Sequence, residues 1–550
     1  MEEVGISLSG GGYRAAMYHL GTLSYLHHLK LPDGRSFLDI VNSISTISGG
    51  TITGLWYLMN YYQHKDIGRS FQELYNILAT EDLPTEILDV FLNKQNKNAS
   101  LIKEAVNIYD KLFFHDETFG KIMDVVQTGH IHHFSANGTD FSTGTAYRFH
   151  AIRKIVNTDP QYRFATIGNA YNSLPGKIAS QVKLSEILAV SSCFPGGFEP
   201  MQYPEDFAFS TDPANKEFVD KEKRYRLMDG GIVDNQGIEP LLLAEEHLAF
   251  DDPKSKENLD YKCIDLLIIS DVSSPFMKAD CEVRQHFYND ITLNSINAWI
   301  TFAVLALVLV WIFAYLFAGQ FVVGMISMLL LLTVLLRGLT YWLNGTIRKK
   351  LRELPFVYDW KNIRYLTLGK IKTMVLGRLD SLLDLSQTVF MRPIRNMRYK
   401  QVYKDRGWRN RRITNNITEL STNGIWSKIE SFPEDLELSD LLKPVELLKP
   451  SEVLVKNCDK AAGMGTTLWF TDEEKADGLP EAVFTTGQAT ICMNLLDYIF
   501  KLKKNNDNTN DTHELIMGCE KQLLADWEHF QKDPNCLLYL GKRGAEAASK

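Results

Sequence analysis

The sequence predicts an α/β fold in which helices cover a largely parallel sheet. Three observations carry that expectation. Apolar, β-prone runs at Val4–Ser9, Leu38–Ile47, Tyr147–Ile152, Ala165–Ala170, Tyr225–Met228 and Leu266–Val272 alternate with helix-like segments, the order that builds a parallel sheet with helical crossovers. The first two runs each end in a glycine-rich turn that opens a helix, which is where α/β sheets place their sites. The chain has 550 residues, 45% of them hydrophobic, enough to bury a large core and to form about two or three domains.

The first strand, Val4-Gly5-Ile6-Ser7-Leu8, runs into Ser9-Gly10-Gly11-Gly12-Tyr13-Arg14 and a helix-like stretch from Ala15 to Leu29. A strand, a glycine turn and a helix start aim backbone N–H groups at negative charge, either a bound phosphate or an oxyanion formed during a reaction. The second strand ends in Thr46-Ile47-Ser48-Gly49-Gly50 before an apolar helix from Thr51 to Tyr61. A serine on a sharp strand-to-helix turn is lifted clear of the sheet, and the helix N-terminus favours charge developing there. The usual pattern is G-x-S-x-G; here Thr46 stands at the first glycine, and a β-branched residue needs more room. A loop dense in Pro and Gly, Ser191-Ser192-Cys193-Phe194-Pro195-Gly196-Gly197-Phe198-Glu199-Pro200, precedes the third element, Arg226-Leu227-Met228-Asp229-Gly230-Gly231. A carboxylate at Asp229 can accept a serine proton if the side chains meet.

Each residue has a plainer reading. Gly10–Gly12 lack the Lys-Ser/Thr of a P-loop, which weighs against a nucleotide phosphate. Ser48 alone reads as a helix N-cap until the strand before it and the glycines after it are counted, and Asp229 alone reads as a turn cap. A Ser-His-Asp triad requires a histidine after Asp229; His247 and His286 are available but lack a loop context. Ser191 and Ser192 have no glycine turn directly after them. His130, His132 and His133 read as strand surface in the absence of a carboxylate partner. Cys193 reads as a small buried residue.

A net charge of −8 gives no reason to expect nucleic acid. The 7 cysteines, scattered without C-x-x-C spacing, predict neither a disulfide framework nor a zinc site. No signal peptide is expected, since the first strand begins by Val4. Residues 65–125 and 355–550 read as mostly helical, a cap and a C-terminal accessory region; Phe71, Leu74 and Leu78 have helical spacing.

Ile291 to Leu336 contains no Asp, Glu, Lys or Arg, a stretch of roughly 45 residues, about twice what one membrane span needs. Two spans are expected, about 298–318 and 321–343, broken at Gly319-Gln320. Arg337 can snorkel to the interface beside Tyr341 and Trp342. Arg348, Lys349, Lys350 and Arg352 follow the second span while the turn is uncharged, so the positive-inside rule puts the flanking halves in the cytoplasm. The Asn-x-Ser/Thr matches at Asn98, Asn137, Asn344 and Asn416 are then expected to be unglycosylated. From Arg378 to Arg412 the chain is basic, with Arg392, Arg395, Arg398, Lys400, Lys404, Arg406, Arg409 and Arg411 interleaved by Tyr399, Tyr403 and Trp408. Such a segment rests on anionic headgroups or pairs with acidic patches such as Glu430–Asp440, and the sequence leaves both readings open.

The glycine run, the Ser48 turn, the Asp229-Gly230-Gly231 turn, the Ser-Ser-Cys-Phe-Pro loop and the Asn137-Gly138-Thr139-Asp140-Phe141-Ser142-Thr143-Gly144 hairpin stand in one order over residues 4 to about 275. Together they resemble the patatin-like phospholipases, a family sharing its dyad logic with cytosolic phospholipase A2. The resemblance fades after Ser274. The uncharged apolar run adds a transmembrane hairpin at 291–345 and helix-like spacing a mostly helical region at 346–550, while the resemblance implies a three-layer α/β/α patatin-like sandwich over residues 1–290. It implies Ser48 as nucleophile, Asp229 as its base, and Gly10, Gly11 and Gly12 as oxyanion donors, groups worth roughly 3 kcal/mol each in a transition state. Arg14 either orders the loop or meets a headgroup phosphate. The implied reaction is metal-independent and cofactor-free cleavage of a lipid ester through an acyl-enzyme, with a lipid substrate and a bilayer as partners. The alternative is a membrane scaffold that kept the fold and lost the chemistry, a reading motivated by Thr46.

Overall fold

The computed structural model of the protein describes residues 3–61, 66–87, 100–153, 167–251, 262–273, 292–317, 319–353, 367, 391–424, 446–505 and 511–542. They fall into two units, one drawn from residues 1–278 and 386–550, the other from 279–385. In chain order the elements used below are β1 (Val4–Leu8), α1 (Gly12–His28), β2 (Val41–Ile47), α2 (Gly49–Tyr61), β3 (His133–Asp140), β4 (Thr145–Ile152), β5 (Ile167–Gly168), β6 (Ser173–Leu174), α3 (Leu184–Ser192), β7 (Met201–Tyr203), β8 (Tyr225–Asp229), α4 (Ile238–Asp251), β9 (Leu266–Asp271), α5 (Leu293–Phe317), α6 (Gln320–Glu353), α7 (Met391–Lys404), β10 (Arg412–Asn416) and α8 (Leu479–Asn505).

One sheet organises the first unit, in the order β10-β9-β1-β2-β3-β4-β5-β6, with β8 pairing to β3 and β7 to β8. From β10 to β3 every neighbour is parallel, as the sequence predicts; beyond β3 every pairing is antiparallel. The change of direction has a local cause. The turn Phe141–Gly144 is too short for a crossover helix, so β4 must return alongside β3. β1 and β2 are buried along their whole length, as strands covered on both faces must be. The expected strand at Leu38–Ile47 begins later: Phe37–Ile40 is a 3-10 turn capped by Ser36. The expected Ala165–Ala170 strand is only Ile167–Gly168, residues 154–166 lying outside the described set.

Helix α1 is buried from Gly12 to Leu26, because it lies between the sheet and α8. A Cβ on Gly21 would lie 2.0 Å from the Phe484 carbonyl oxygen, and one on Gly487 2.1 Å from that of Tyr18. The two helices therefore touch backbone to backbone, which glycine alone permits. The region expected to be an accessory to the fold thus supplies both the edge strand β10 and the helix that covers α1. Residues 67–80, 101–109 and 119–128 are helical, as their apolar spacing predicts. The basic segment is described from Met391 onward. Arg398 pairs with Glu239 at 2.7 Å, Arg395 lies 3.8 Å from Asp271, and Arg411 is 4.0 Å from Asp265. These cations are engaged inside the unit, but with partners other than the proposed 430–440 patch, which lies outside the described residues.

In the second unit α5 and α6 form a helical hairpin about Gly319. Trp311 Nε1 donates to Ser327 Oγ at 2.8 Å, and Arg337 reaches Asn297 at 3.4 Å. Asn294–Phe317 and Gln320–Trp342 are long and apolar enough to cross a membrane. Their side chains find little cover, with Phe302 73% and Met328 77% exposed.

Replacing Gly487 by Val forces α8 away from α1. The expected cost is roughly 3 kcal/mol, read as a fall in thermal midpoint of the detergent-solubilised protein; an unchanged midpoint would show that the contact does not hold the two halves together.

Candidate active site

Ser48 sits between β2 and α2 with φ 49°, a left-handed conformation costly for a side chain-bearing residue and found where function holds it. The glycines after it are dictated by contact. A Cβ on Gly49 would lie 2.0 Å from the Gly12 carbonyl oxygen, and one on Gly50 2.3 Å from that of Leu8. Helix α2 therefore starts pressed against the β1–α1 turn, and Ser48 is brought over the glycine loop. Ser48 is buried but for 9% of its surface.

Thr46 finds its room eight residues on. A Cβ on Gly54 would meet the Thr46 methyl at 2.4 Å, so the small residue has moved from the strand to the facing helix. The Thr46 hydroxyl accepts from Thr51 Oγ1 at 3.1 Å. Thr51 in turn meets Ser191 Oγ at 2.9 Å, Ser191 accepts the Ser48 N–H at 2.9 Å, and its own hydroxyl donates to the Asn137 carbonyl at 2.8 Å. Ser191, from α3, is thus the anchor of the Ser48 turn rather than a nucleophile.

Asp229 ends β8 opposite Gly138. Its N–H donates to the Cys193 carbonyl at 2.9 Å, its carbonyl accepts from Thr139 Oγ1 at 2.8 Å, and its carboxylate accepts the Gly231 N–H at 2.6 Å. Burial raises its pKa to about 7, against the pull of the Gly231 N–H and of the Ser48 hydroxyl beside it. A carboxyl group at that value holds or releases a proton near neutrality.

The glycine loop differs in one respect from the expectation. Gly10 donates its N–H to the Asn235 carbonyl at 3.0 Å, so that group is spent on structure. The N–H groups of Gly11 (φ 150°) and Gly12 (φ 59°) have no hydrogen-bond partner among the described residues. Tyr13 N–H binds the Thr467 carbonyl at 2.8 Å, and a Cβ on Gly12 would lie 2.3 Å from that same oxygen. Arg14 is 2% exposed and donates to the Met464 carbonyl at 2.6 Å. Its burial, which also lowers its pKa to about 10, gives it the loop-ordering place and leaves it no access to a headgroup. Ser9 is fixed from the other side. His19 Nε2 contacts its carbonyl at 3.1 Å, and its hydroxyl accepts the Val272 N–H at 3.0 Å.

The other candidates lie apart from this arrangement. His132 pairs with Glu3 at 2.9 Å, and His133 contacts His150 at 2.5 Å. No group of three His, Cys, Asp or Glu side chains placed to hold a metal occurs among the described residues. Cys193 is buried and donates to the Glu199 carbonyl at 3.1 Å, and burial pushes its thiol pKa up. Asn137, part of a glycosylation match, is buried and donates to the Thr46 carbonyl at 2.9 Å. Ser191, Gly54, His19 and Thr467 are the residues that sequence reasoning missed as parts of the site; the only local signal was the serine pair before Cys193.

Residues 6–242 match the model of the Patatin-like phospholipase family, and the sheet with its helical layers is the patatin α/β fold. Among solved structures, the chain is similar to human GIVD cytosolic phospholipase A2, at 14% identity and TM-score 0.29 over 50% of this chain and 44% of that one. It is also similar to the same human protein in complex with a methyl gamma-linolenyl fluorophosphonate inhibitor and terbium chloride, at 16% identity and TM-score 0.22 over 34% of this chain and 29% of that one. The chain thus spans less than half the length of either. No curated protein sequence matches it.

Two outcomes follow from this geometry. Ser191→Ala leaves the Ser48 N–H buried and unpaired, and is expected to cost about 1–3 kcal/mol of stability, measured by chemical denaturation; a neutral effect would remove Ser191 as the anchor. Asp229 has a folded pKa near 7 against an ordinary 3.8, so its protonated folded form is favoured at low pH and that advantage is lost as pH rises through 7. Asp229→Asn should therefore out-melt the wild type by a margin that grows between pH 5 and pH 8, on the order of 2 kcal/mol. A pH-independent margin would mean that the carboxylate is not held at a raised pKa.

Proposed function

Proceeding from a patatin-like phospholipase domain over residues 6–242, we propose that the protein is a membrane-anchored serine lipid acyl hydrolase working through Ser48 and Asp229. The observation that carries the reading is the pairing of a strained, nearly buried serine with a buried carboxyl whose pKa stands at about 7. Ser48 Oγ attacks an ester carbonyl while Asp229 takes its proton. The Gly11 and Gly12 N–H groups, which have no other partner among the described residues, receive the oxyanion. The proton passes from Asp229 to the leaving alcohol; water, deprotonated by Asp229, then attacks the acyl carbonyl, and Asp229 returns that proton to Ser48 Oγ as the fatty acid leaves.

The room that Gly54 gives Thr46 supports catalysis over the scaffold alternative. The hairpin α5–α6 holds the enzyme beside an insoluble substrate and raises its local concentration. The cations after the second span favour a cytoplasmic location for both flanking halves, which protease protection of the two termini tests; a lumenal or external terminus would exclude it.

The deciding experiment is fatty-acid release from mixed phospholipid and neutral-lipid vesicles. Wild type is expected to release fatty acid without added metal, with kcat/KM rising with pH to a plateau above about 7, since the base must be ionised. Ser48→Ala and Asp229→Asn are expected to lose at least 10²-fold, and a fluorophosphonate should label wild type while sparing Ser48→Ala. A folded wild type that releases nothing and resists the fluorophosphonate would favour the scaffold.

A further inference from the structure

β3 runs parallel to β2, so its C-terminal end points the same way as the Ser48 turn. Ile47 pairs with Asn137 and Asp229 with Gly138, which puts both catalytic candidates at one level of the sheet. Phe141 lies three residues beyond Gly138, about 10 Å further out along the strand direction. It is 48% exposed, and Tyr171, on the loop between β5 and β6, is 67% exposed.

The two aromatics are held together by Asp140. One carboxylate oxygen accepts the N–H groups of Ser142 and Thr143 at 2.9 and 3.3 Å; the other accepts from Asn169 and Asn172 at 3.3 and 2.6 Å. Asn169 also donates to Thr145 at 3.2 Å. A buried anion, fully used in hydrogen bonds, thus makes the Phe141 turn and the Tyr171 loop one rigid tip. Around it, residues 141–147 and 168–174 carry no Asp, Glu, Lys or Arg. The strand end beside the tip carries exposed Arg226, whose guanidinium sits 5.4 Å from the Phe141 ring centroid, after Glu222, Lys223 and Arg224.

We propose that this tip is a bilayer-contact surface, on which Phe141 and Tyr171 enter the interfacial region of a phospholipid membrane and Arg226 meets its phosphates. Rigid aromatics beside a cation are the side chains that settle at headgroup depth. Residues 141–147 and 168–174 bring no carboxylate to repel an anionic or zwitterionic surface, and the exposed Glu205 at the neighbouring strand end is paired with Arg224 at 2.9 Å. Contact there presents the mouth of the site to substrate lipid, whereas the hairpin only tethers the chain. The inference rests on the lipid-hydrolase reading for its purpose, but its test separates the two.

The full chain is reconstituted in phosphatidylcholine–phosphatidylserine liposomes. The Phe141→Trp variant should add tryptophan emission that brominated phospholipid quenches, whether or not the protein is active; added emission that resists quenching would overturn the contact. Phe141→Ser/Tyr171→Ser should lower hydrolysis of liposomal phospholipid at least fivefold, leave hydrolysis of a water-soluble butyrate ester and fluorophosphonate labelling of Ser48 within twofold, and be rescued by Phe141→Trp/Tyr171→Phe. Equal loss on both substrates, or no loss on liposomes, would refute the surface. A wild type inert on every ester while quenching persists would reject the hydrolase and leave the bilayer contact standing.

Discussion

The site depends on a close approach of backbones. The turns that leave β1 and β2 come so near that a methyl group on Gly49 would lie 2.0 Å from the carbonyl oxygen of Gly12. On the far side of the same loop, the 464–470 segment stands where a methyl group on Gly12 would lie 2.3 Å from the Thr467 carbonyl. The glycine loop is therefore sandwiched between the Ser48 turn and a segment more than 400 residues distant in sequence. Removing either neighbour would free the loop, and the proposed oxyanion role of its two N–H groups requires them fixed, because preorganised donors lower a barrier only when they need not reorient. The C-terminal half is thus a wall of the site, even though the family match ends at residue 242.

Buried hydrogen bonds fix what the glycines allow. One network joins Thr46, Thr51, Ser191 and Asn137 to the Ser48 N–H. A second starts at Ser9, directly before the glycines. His19 links the Ser9 carbonyl to Ser270 Oγ at 3.0 Å; Ser270 accepts from Asn415 at 3.2 Å, and Asn494 donates to Asn415 at 3.3 Å and to Glu419 at 2.9 Å. Burial lowers the His19 pKa to about 4, so the ring stays neutral, donating from Nε2 to the carbonyl and accepting at Nδ1. Networks with every member satisfied specify one geometry, whereas a missing partner leaves a costly orphan. This one ties the glycine loop to β10 and α8.

The glycine turns, the Ser48 turn and the Asp229 turn were legible because each is a local pattern, with the residue types and their order lying within a few positions. Gly54, Ser191, His19 and Thr467 were not, because each matters through a contact with a residue far away in sequence or on a facing element. Gly10 shows the same limit from the other direction, since its donor is spent on Asn235, a partner no local pattern reveals. Strand β3 was read only at its ends, as a histidine-bearing strand surface and as the Asn137–Gly144 hairpin, because His133-Phe134-Ser135-Ala136-Asn137-Gly138-Thr139-Asp140 lacks a long apolar run; its polar side chains are buried in hydrogen bonds instead. Strand β10, Arg412-Ile413-Thr414-Asn415-Asn416, escaped for the same reason. The antiparallel half of the sheet followed from a four-residue turn that strand-like composition alone does not disclose.

Two aspartates at the ends of strands show how the chain assigns roles to one side-chain type. Asp229 and Asp271 are both buried, and burial alone pushes both upward. At Asp271 the Arg395 guanidinium, the Ser273 hydroxyl and N–H and the Tyr399 hydroxyl outweigh that push and hold the carboxylate below its ordinary range. It is an anchor between β9 and α7, its charge favoured by these partners. At Asp229 no cation among the described residues contributes; the Gly231 N–H and the Ser48 hydroxyl oppose burial. The nearby arginines are spent elsewhere: Arg148 and Arg398 on Glu239, Arg395 on Asp271, Arg14 on the Met464 carbonyl. Withholding a counter-charge lets a carboxyl group reach a proton affinity that most hydrolases obtain from histidine. The same choice leaves an ionised Asp229 uncompensated above neutrality, so its proton affinity is high because its charged form is poorly solvated, and the fold is less stable there for the same reason.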